Sequence, residues 1–211
     1  MTYWEHKYLS NSGLSKLEAE LSGRDARDLT EAYRRGTIVD VMITDQKRLN
    51  IYQRTIQALD GTDLHYTDAE IIKARKMRDA FFADPICSQL YHASNLQEEV
   101  YLDDAEFGDI VLGIKCKCDG RLKAARWPWD LKRTSCRTLK DFEATMGLYS
   151  YDRQSVIYIT ACQSDRMLFI GISDHQPHHI FKVFVKRGDD RFRAGFDKAY
   201  DLIQKFDILC G

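Results

Sequence analysis

The chain has 211 residues, a formal net charge of −1, and 44% hydrophobic and 11% aromatic residues, a balance that suits one globular α/β domain and excludes a disordered chain. No apolar run reaches the roughly eighteen residues a membrane helix needs, and no charged-then-apolar leader opens the sequence, so a cytoplasmic protein with no membrane segment is expected. The near-neutral total is unpromising for a nucleic-acid binder, but it conceals a strong local asymmetry.

In chain order, Leu29, Tyr33, Gly36, Asp40 and Ile43 recur at helical spacing, with Gly36 and Asp40 one turn apart on one face. Gly36 is expected to let this helix pack closely. Thr67-Asp-Ala-Glu70 has a capping-box pattern and opens a second helix that runs toward Asp84-Pro85. Glu98, Glu99, Asp103, Asp104, Glu106 and Asp109 form an acidic run, read as a solvated loop or strand edge. Strands dominate from about residue 98 to residue 134.

Within that region, residues 115–140 hold nine basic residues and two acidic ones, Asp119 and Asp130. The second begins Asp130-Leu131-Lys132. In a strand, alternate residues share a face, so Asp130 and Lys132 project one way and Leu131 the other, while Asp119 reaches the same point from the neighbouring strand. A bare D-x-K triplet is usually a solvated charge pair. Here it comes with an upstream aspartate at hairpin spacing, and two carboxylates with a lysine are the minimum kit for metal-assisted phosphodiester cleavage. Hard oxygens hold Mg²⁺ or Mn²⁺, and the ammonium orients a water or steadies the transition state. Carboxylates confined to the metal ligands of a basic stretch are what a polyanion approaching a cation requires.

Further on, Val156-Ile-Tyr-Ile-Thr160 is β-prone by composition. His175-Gln-Pro-His178-His179 reads as a turn between strands over 167–172 and 180–186, without the companion ligands of a metal site. Phe192, Phe196, Ala199, Tyr200 and Ile203 make an apolar stripe on a C-terminal helix, either core or a subunit interface. Of six cysteines, Cys116 and Cys118 share a strand face, but Cys87, Cys136, Cys162 and Cys210 are scattered singly. No four-ligand set is visible, and buried reduced thiols are expected.

Taken together, Lys115-Cys-Lys-Cys-Asp119, Asp130-Leu-Lys-Arg-Thr134, Tyr151-Asp-Arg-Gln154-Ser-Val-Ile-Tyr158 and Pro177-His178 resemble the PD-(D/E)XK nuclease superfamily. The resemblance is to its RecE-like branch of phage and prophage exonucleases, the exodeoxyribonuclease VIII group, related to lambda exonuclease and RecB-type nuclease domains. Leu9-Ser-Asn-Ser12 and Arg35-Gly-Thr-Ile-Val-Asp40 are similar to its opening segment and first helix, so the likeness spans most of the chain.

That resemblance implies a restriction-endonuclease-like α/β (α+β) core, a central mixed β-sheet flanked by helices, as a single domain over residues 1–211. It makes the segment from Tyr151 to Cys162 a helix, with Gln154 aimed at the active site and Tyr158 supporting it or touching the DNA backbone. The metal ligands it implies are Asp119, Asp130, the carbonyl of Leu131, Asp40 and Glu99. Asp40 stands where the family often has histidine, and oxygen suits Mg²⁺ at least as well. The implied activity is Mg²⁺-dependent (Mn²⁺ as the substitute) exodeoxyribonuclease digestion of linear double-stranded DNA from its ends in phage-type recombination, with Lys132 positioning the attacking water. The implied partners are duplex ends, a single-strand annealing protein and further copies of the chain. An endonuclease or repair nuclease on the same scaffold, and a non-catalytic DNA-binding module, are the alternatives. On charge alone, Arg34, Arg35, Arg126 and Arg133 are candidates for phosphate contact.

Overall fold

The structure is a computed structural model that describes residue 3 and residues 7–23, 30–58 and 61–210. Leu29, the first member of the expected helical stripe, lies outside the described residues. Ser10 caps α1 (Asn11–Ser22) by accepting from the Gly13 amide. Next come α2 (Thr30–Thr44) and a small antiparallel sheet of β1 (Leu49–Asn50), β2 (Thr55–Gln57) and β3 (Asp63–His65). The expected capping box is formed by Thr67 and Glu70 at the head of α3 (Asp68–Ala83). Asp84 then caps α4 (Pro85–Ala93), whose proline begins the helix at no hydrogen-bond cost.

The main sheet contains β4 (Ser94–Phe107), β5 (Ile110–Leu122), β6 (Pro128–Thr134), β7 (Arg166–Ser173) and β8 (Ile180–Lys186), hydrogen-bonded in that order. All pairings are antiparallel except β6 with β7, which are parallel. A parallel pair needs a crossover, supplied by α5 (Leu139–Leu148) and α6 (Tyr151–Ala161). The chain then finishes its helical layer with α7 (Asp190–Cys210). Met167 and Phe169 of β7 face a core shared with α5, α6 and α7, whereas Leu168, Ile170 and Ile172 face one shared with α2 and α3. Burial on both faces is why β7 reads as an uninterrupted apolar run. The C-terminal stripe joins the first of these cores: Phe192, Ala199 and Ile203 are buried, with Phe196 and Tyr200 packed against them.

The β-prone segment is helical because its surroundings override its propensity. α6 is buried on almost every side, including Asp152, Arg153, Gln154 and Ser155. Arg153, 1% exposed, reaches Asn11 Oδ1 at 3.0 Å, Ser15 Oγ at 2.6 Å and Glu18 Oε2 at 2.7 Å on α1. Asp152 meets Lys198 Nζ of α7 at 2.6 Å. At this crossing a Cβ on Gly195 would stand 2.2 Å from the Asp152 carbonyl oxygen, so only glycine permits the approach.

Two expectations are corrected. Gly36 allows no close packing, since a Cβ there would meet nothing within 4 Å; it lies on an open stretch of α2. The basic stretch is also less free than its composition implies. Lys115 is buried with its ammonium 2.6 Å from the Tyr3 carbonyl, Arg121 pairs with Glu98 at 2.7 Å, and Arg133 pairs with Asp174 at 2.6 Å. The acidic run lies on β4, an edge strand, and its hairpin to β5. Among the described residues no helix is long and apolar enough to cross a membrane.

Candidate active site

β5 and β6 pair only at Gly120 with Trp129 and Arg121 with Pro128. Beyond those pairs the strands part, and Asp119 closes the fork by accepting from the Leu131 amide through Oδ2 at 2.6 Å. A strand residue in a ladder presents its N–H and C=O to the same neighbour, so the Leu131 carbonyl faces the fork as its amide does. The fork is braced from below by Trp129, which is 1% exposed and donates from Nε1 to Ser94 Oγ at 2.9 Å. The indole lies against Gly120, where a Cβ would come within 2.1 Å of the ring.

Asp130 is 5% exposed. Its Oδ1 accepts from Gln154 Nε2 at 2.6 Å, and Lys132 Nζ stands 2.5 Å from its Oδ2. The Lys132 ammonium thus occupies Oδ2 and Gln154 occupies Oδ1, so both oxygens of this buried carboxylate already face a donor. The Lys132 ammonium also lies 4.8 Å from the centroid of the Tyr151 ring, which itself stacks on Phe169. Burial pushes the Lys132 pKa down most, but the charge and hydrogen bond of Asp130 with the influence of Tyr151 and Asp119 together outweigh it, and the net shift is upward. The side chain therefore stays an ammonium and a donor.

Asp40 enters from α2. Its Oδ1 accepts from Thr44 Oγ1 at 2.6 Å and, at a longer 3.4 Å, from Gln97 Nε2, which also donates to Thr44 Oγ1 at 2.7 Å. Burial raises the Asp40 pKa, against the Thr44 hydrogen bond and with help from the Asp130 charge. Asp119 is driven well above the usual carboxylate range, first by burial and then by the charges of Asp40 and Asp130. Two carboxylates, Asp40 and Asp119, held back from ionising by burial and by neighbouring charge make a site short of positive charge.

Tyr158 lies inside the protein, donating from Oη to the Lys117 carbonyl at 2.9 Å. It steadies β5 two residues before Asp119 and supports the site from behind. Glu99 is turned to other partners: it pairs across the strands with Lys117, Nζ at 3.7 Å, and accepts from Tyr101 Oη at 3.1 Å. The β4 residue that enters the cluster is Gln97. It lies between the Leu96–Gly120 and Glu98–Cys118 pairs with a φ of +50°, out of strand geometry and opposite Asp119. Sequence reasoning missed Gln97 and Thr44, since a non-glycine residue with positive φ carries no sequence signal. Nor do the carboxylates close tightly. Among the described residues, three metal-donor atoms come within 4.8 Å of one another at Cys116, Cys118 and Cys162, whereas each aspartate is held toward its own partner.

On the α2–α3 side of the sheet, a cleft of about 240 Å³ is lined by Arg35, Lys73 and Arg133 together with Glu70, Ile38, Val39, Ala74 and Met77. Arg34 is spent elsewhere, on Glu31, Glu70 and the His65 carbonyl, while Arg126 is exposed.

No protein-family model and no curated protein matches the chain. Among solved structures it is similar to a candidate exonuclease from Eubacterium rectale, at 16% identity over 97% of this chain and 84% of that one, with a TM-score of 0.69. A phage-related exonuclease from Haemophilus somnus 129PT matches at 12% identity over 99% and 98% of the two chains. An alkaline exonuclease from Laribacter hongkongensis matches at 12% over 96% and 89%. Their TM-scores of 0.41 and 0.37 are too low to carry an argument. At these identities the likeness speaks to architecture: the chain has the α/β fold of the E. rectale protein, with the mixed central sheet and flanking helices expected of the PD-(D/E)XK resemblance.

Proposed function

We propose that the chain is a divalent-metal-dependent deoxyribonuclease that hydrolyses phosphodiester bonds from the ends of linear double-stranded DNA. The observation that carries this reading is the fork between β5 and β6, where Asp119 bonds the Leu131 amide, Asp130 pairs with Lys132, and the charges of Asp40 and Asp130 bear on Asp119; an ion would draw these carboxylates closer than they stand. The donors are hard oxygens, suited to Mg²⁺ or Mn²⁺, and a divalent cation would relieve the burial and mutual charge that hold Asp40 and Asp119 back from ionising. Asp119, Asp130 and the Leu131 carbonyl would hold the ion, with Asp40 completing the set. When bound, it would neutralise phosphate charge and acidify a water.

The protein's own groups do the rest. Lys132, kept as an ammonium between Asp130 and the Tyr151 ring, donates to the attacking water and orients it toward phosphorus. Gln154 fixes the carboxylate of Asp130 from the far side, and Tyr158 holds the β5 backbone. Glu99, engaged with Lys117 and Tyr101, is left out of the ligand set. Arg35, Lys73 and Arg133 line the cleft on the other face of the sheet, but Arg35 is paired with Glu31 and both Lys73 and Arg133 with Asp174, so they would serve DNA phosphates only by exchanging those carboxylates. End dependence, a role in phage-type recombination beside a single-strand annealing protein, and assembly into homo-oligomers follow from the RecE-like resemblance.

The test is digestion of end-labelled linear duplex and matched closed circular DNA with Mg²⁺ or with chelator, beside Asp130→Asn and Lys132→Ala. Linear DNA should be degraded and circles spared, with activity lost in both variants and in chelator. Cutting of circles would make the chain an endonuclease. Binding without cleavage under any divalent metal would overturn the enzyme reading in favour of a non-catalytic DNA-binding module.

A further inference from the structure

Cys162 is distant in sequence from Cys116 and Cys118, yet the three sulfurs meet. Cys116 and Cys118 point to the same side of β5, and Cys162 ends α6, which lies over that side. The Sγ–Sγ separations are 3.8 Å for Cys116–Cys118, 4.0 Å for Cys116–Cys162 and 3.7 Å for Cys118–Cys162. All three residues are buried, at 1%, 0% and 2% exposure. The expectation of singly scattered thiols therefore fails for Cys162, because the turn after α6 returns it to β5.

We propose that Cys116, Cys118 and Cys162 form a three-thiolate site for one soft d¹⁰ cation, Cu(I) or Zn(II). A triangle with those sides has a point about 2.2 Å from every corner, close to a metal–thiolate bond of about 2.3 Å. The ion would fit in or just above the sulfur plane, with no side chain moved. The donors are all sulfur, which selects thiophilic ions and rejects Mg²⁺ and Ca²⁺. The scaffold is already rigid: Cys116 and Cys118 are paired in the ladder with Val100 and Glu98, and the Cys162 amide bonds to the Tyr158 carbonyl at 2.9 Å. Binding is ligation without electron transfer, and each thiol that becomes a thiolate releases its proton to solvent.

The position gives such a site a consequence. Cys118 precedes Asp119 directly, and Cys162 lies one turn beyond Tyr158 on the helix that also carries Gln154. An ion held by the three sulfurs would clamp together the strand and the helix that build the fork. The proposal is independent of the nuclease reading, because its test reads metal rather than DNA.

The reduced full chain is titrated anaerobically with Cu(I) and, separately, with Zn(II), each against a chromophoric chelator, with stoichiometry by elemental analysis. Wild type, Cys87→Ser and Asp130→Asn should each bind one equivalent tightly. Cys162→Ser should bind at least about a hundredfold more weakly, because one of three ligands is gone. Cys162→Ala and circular dichroism separate lost binding from lost folding. In the wild type, bound metal should also slow alkylation of these three cysteines, mapped by mass spectrometry. A tighter Cu(I) site means three-coordinate binding, and a tighter Zn(II) site means that water supplies a fourth ligand; both support the proposal. Wild-type affinity no greater than that of folded Cys162→Ser, or binding that follows Asp130 instead, overturns it and leaves the trio as core thiols.

Discussion

Replacing Gln154 with leucine removes a single buried hydrogen bond and little volume. Gln154 is 6% exposed and donates to Asp130 Oδ1 at 2.6 Å. A hydrogen bond to a charged acceptor contributes about 1.5–3 kcal/mol, so a loss of about 2 kcal/mol is expected. For a chain of this length that corresponds to a melting temperature lower by about 4–8 °C. The functional effect follows from orientation. Without the amide, the Asp130 carboxylate is free to turn, and losing a group that orients a metal ligand typically costs about 10–100-fold in metal affinity. Cleavage of end-labelled duplex should therefore need about 10–100-fold more Mg²⁺ for half-maximal rate, while the rate at saturating Mg²⁺ stays close to wild type. A lower melting temperature with unchanged Mg²⁺ dependence would reduce Gln154 to a packing residue. A rate lost at every Mg²⁺ concentration would put it on the substrate, and either result refutes the orientation argument.

Three other perturbations test the surrounding physics. Asp119 has a folded-state pKa well above its ordinary 3.8, through burial and the charges of Asp40 and Asp130. The folded state binds more protons above that ordinary value, so its stability falls as pH rises through the window. Asp119→Asn removes the charge and keeps an oxygen for the Leu131 amide; in chelator it should melt above wild type at neutral pH, with the gap closing toward pH 3.8, and a variant that melts lower at neutral pH contradicts this. Gly120→Ala forces a Cβ to within 2.1 Å of the Trp129 ring, an overpacking that should cost about 1–3 kcal/mol in urea unfolding; an unchanged midpoint would mean that the indole has room to move. Glu70 is held down to about 2, chiefly by its hydrogen bond from Arg34. Its contribution is fully present above its ordinary 4.5 and is lost as pH falls through about 2. The difference in melting temperature between wild type and Arg34→Gln should be constant above pH 4.5 and shrink below it, and a difference independent of pH rejects the linkage.

Local chemistry made much of the fold legible. The capping box of Thr67 and Glu70 needs only four residues in a row, and it formed as written. The turn at His175–His179 and the strands on either side of it also follow from short-range pattern. The segment from Tyr151 to Ala161 shows the limit, because its composition favours strand while α1, α7 and the sheet enclose it as a helix. Only the family resemblance gave the right answer there. The alternation of Asp130 and Lys132 was readable from strand periodicity, and so was the chance that Asp119 would reach them.

Features that depend on neighbours in the chain were therefore legible in advance: caps, strand alternation, and the inventory of oxygen, sulfur and cationic groups. Which of those groups meet was settled by packing between distant parts of the chain. That packing turned Glu99 to Lys117 and brought Gln97 to Asp40, through a backbone distortion no residue type announces. Most of the basic residues whose partners are described lie against carboxylates, and composition had suggested a free positive surface. Cys162 met Cys116 and Cys118 because α6 ends over β5. The physical reason is common to all these cases: contacts between residues far apart in sequence depend on strand register and helix crossing, which are set by the packing of the whole core and not by the residues that end up touching.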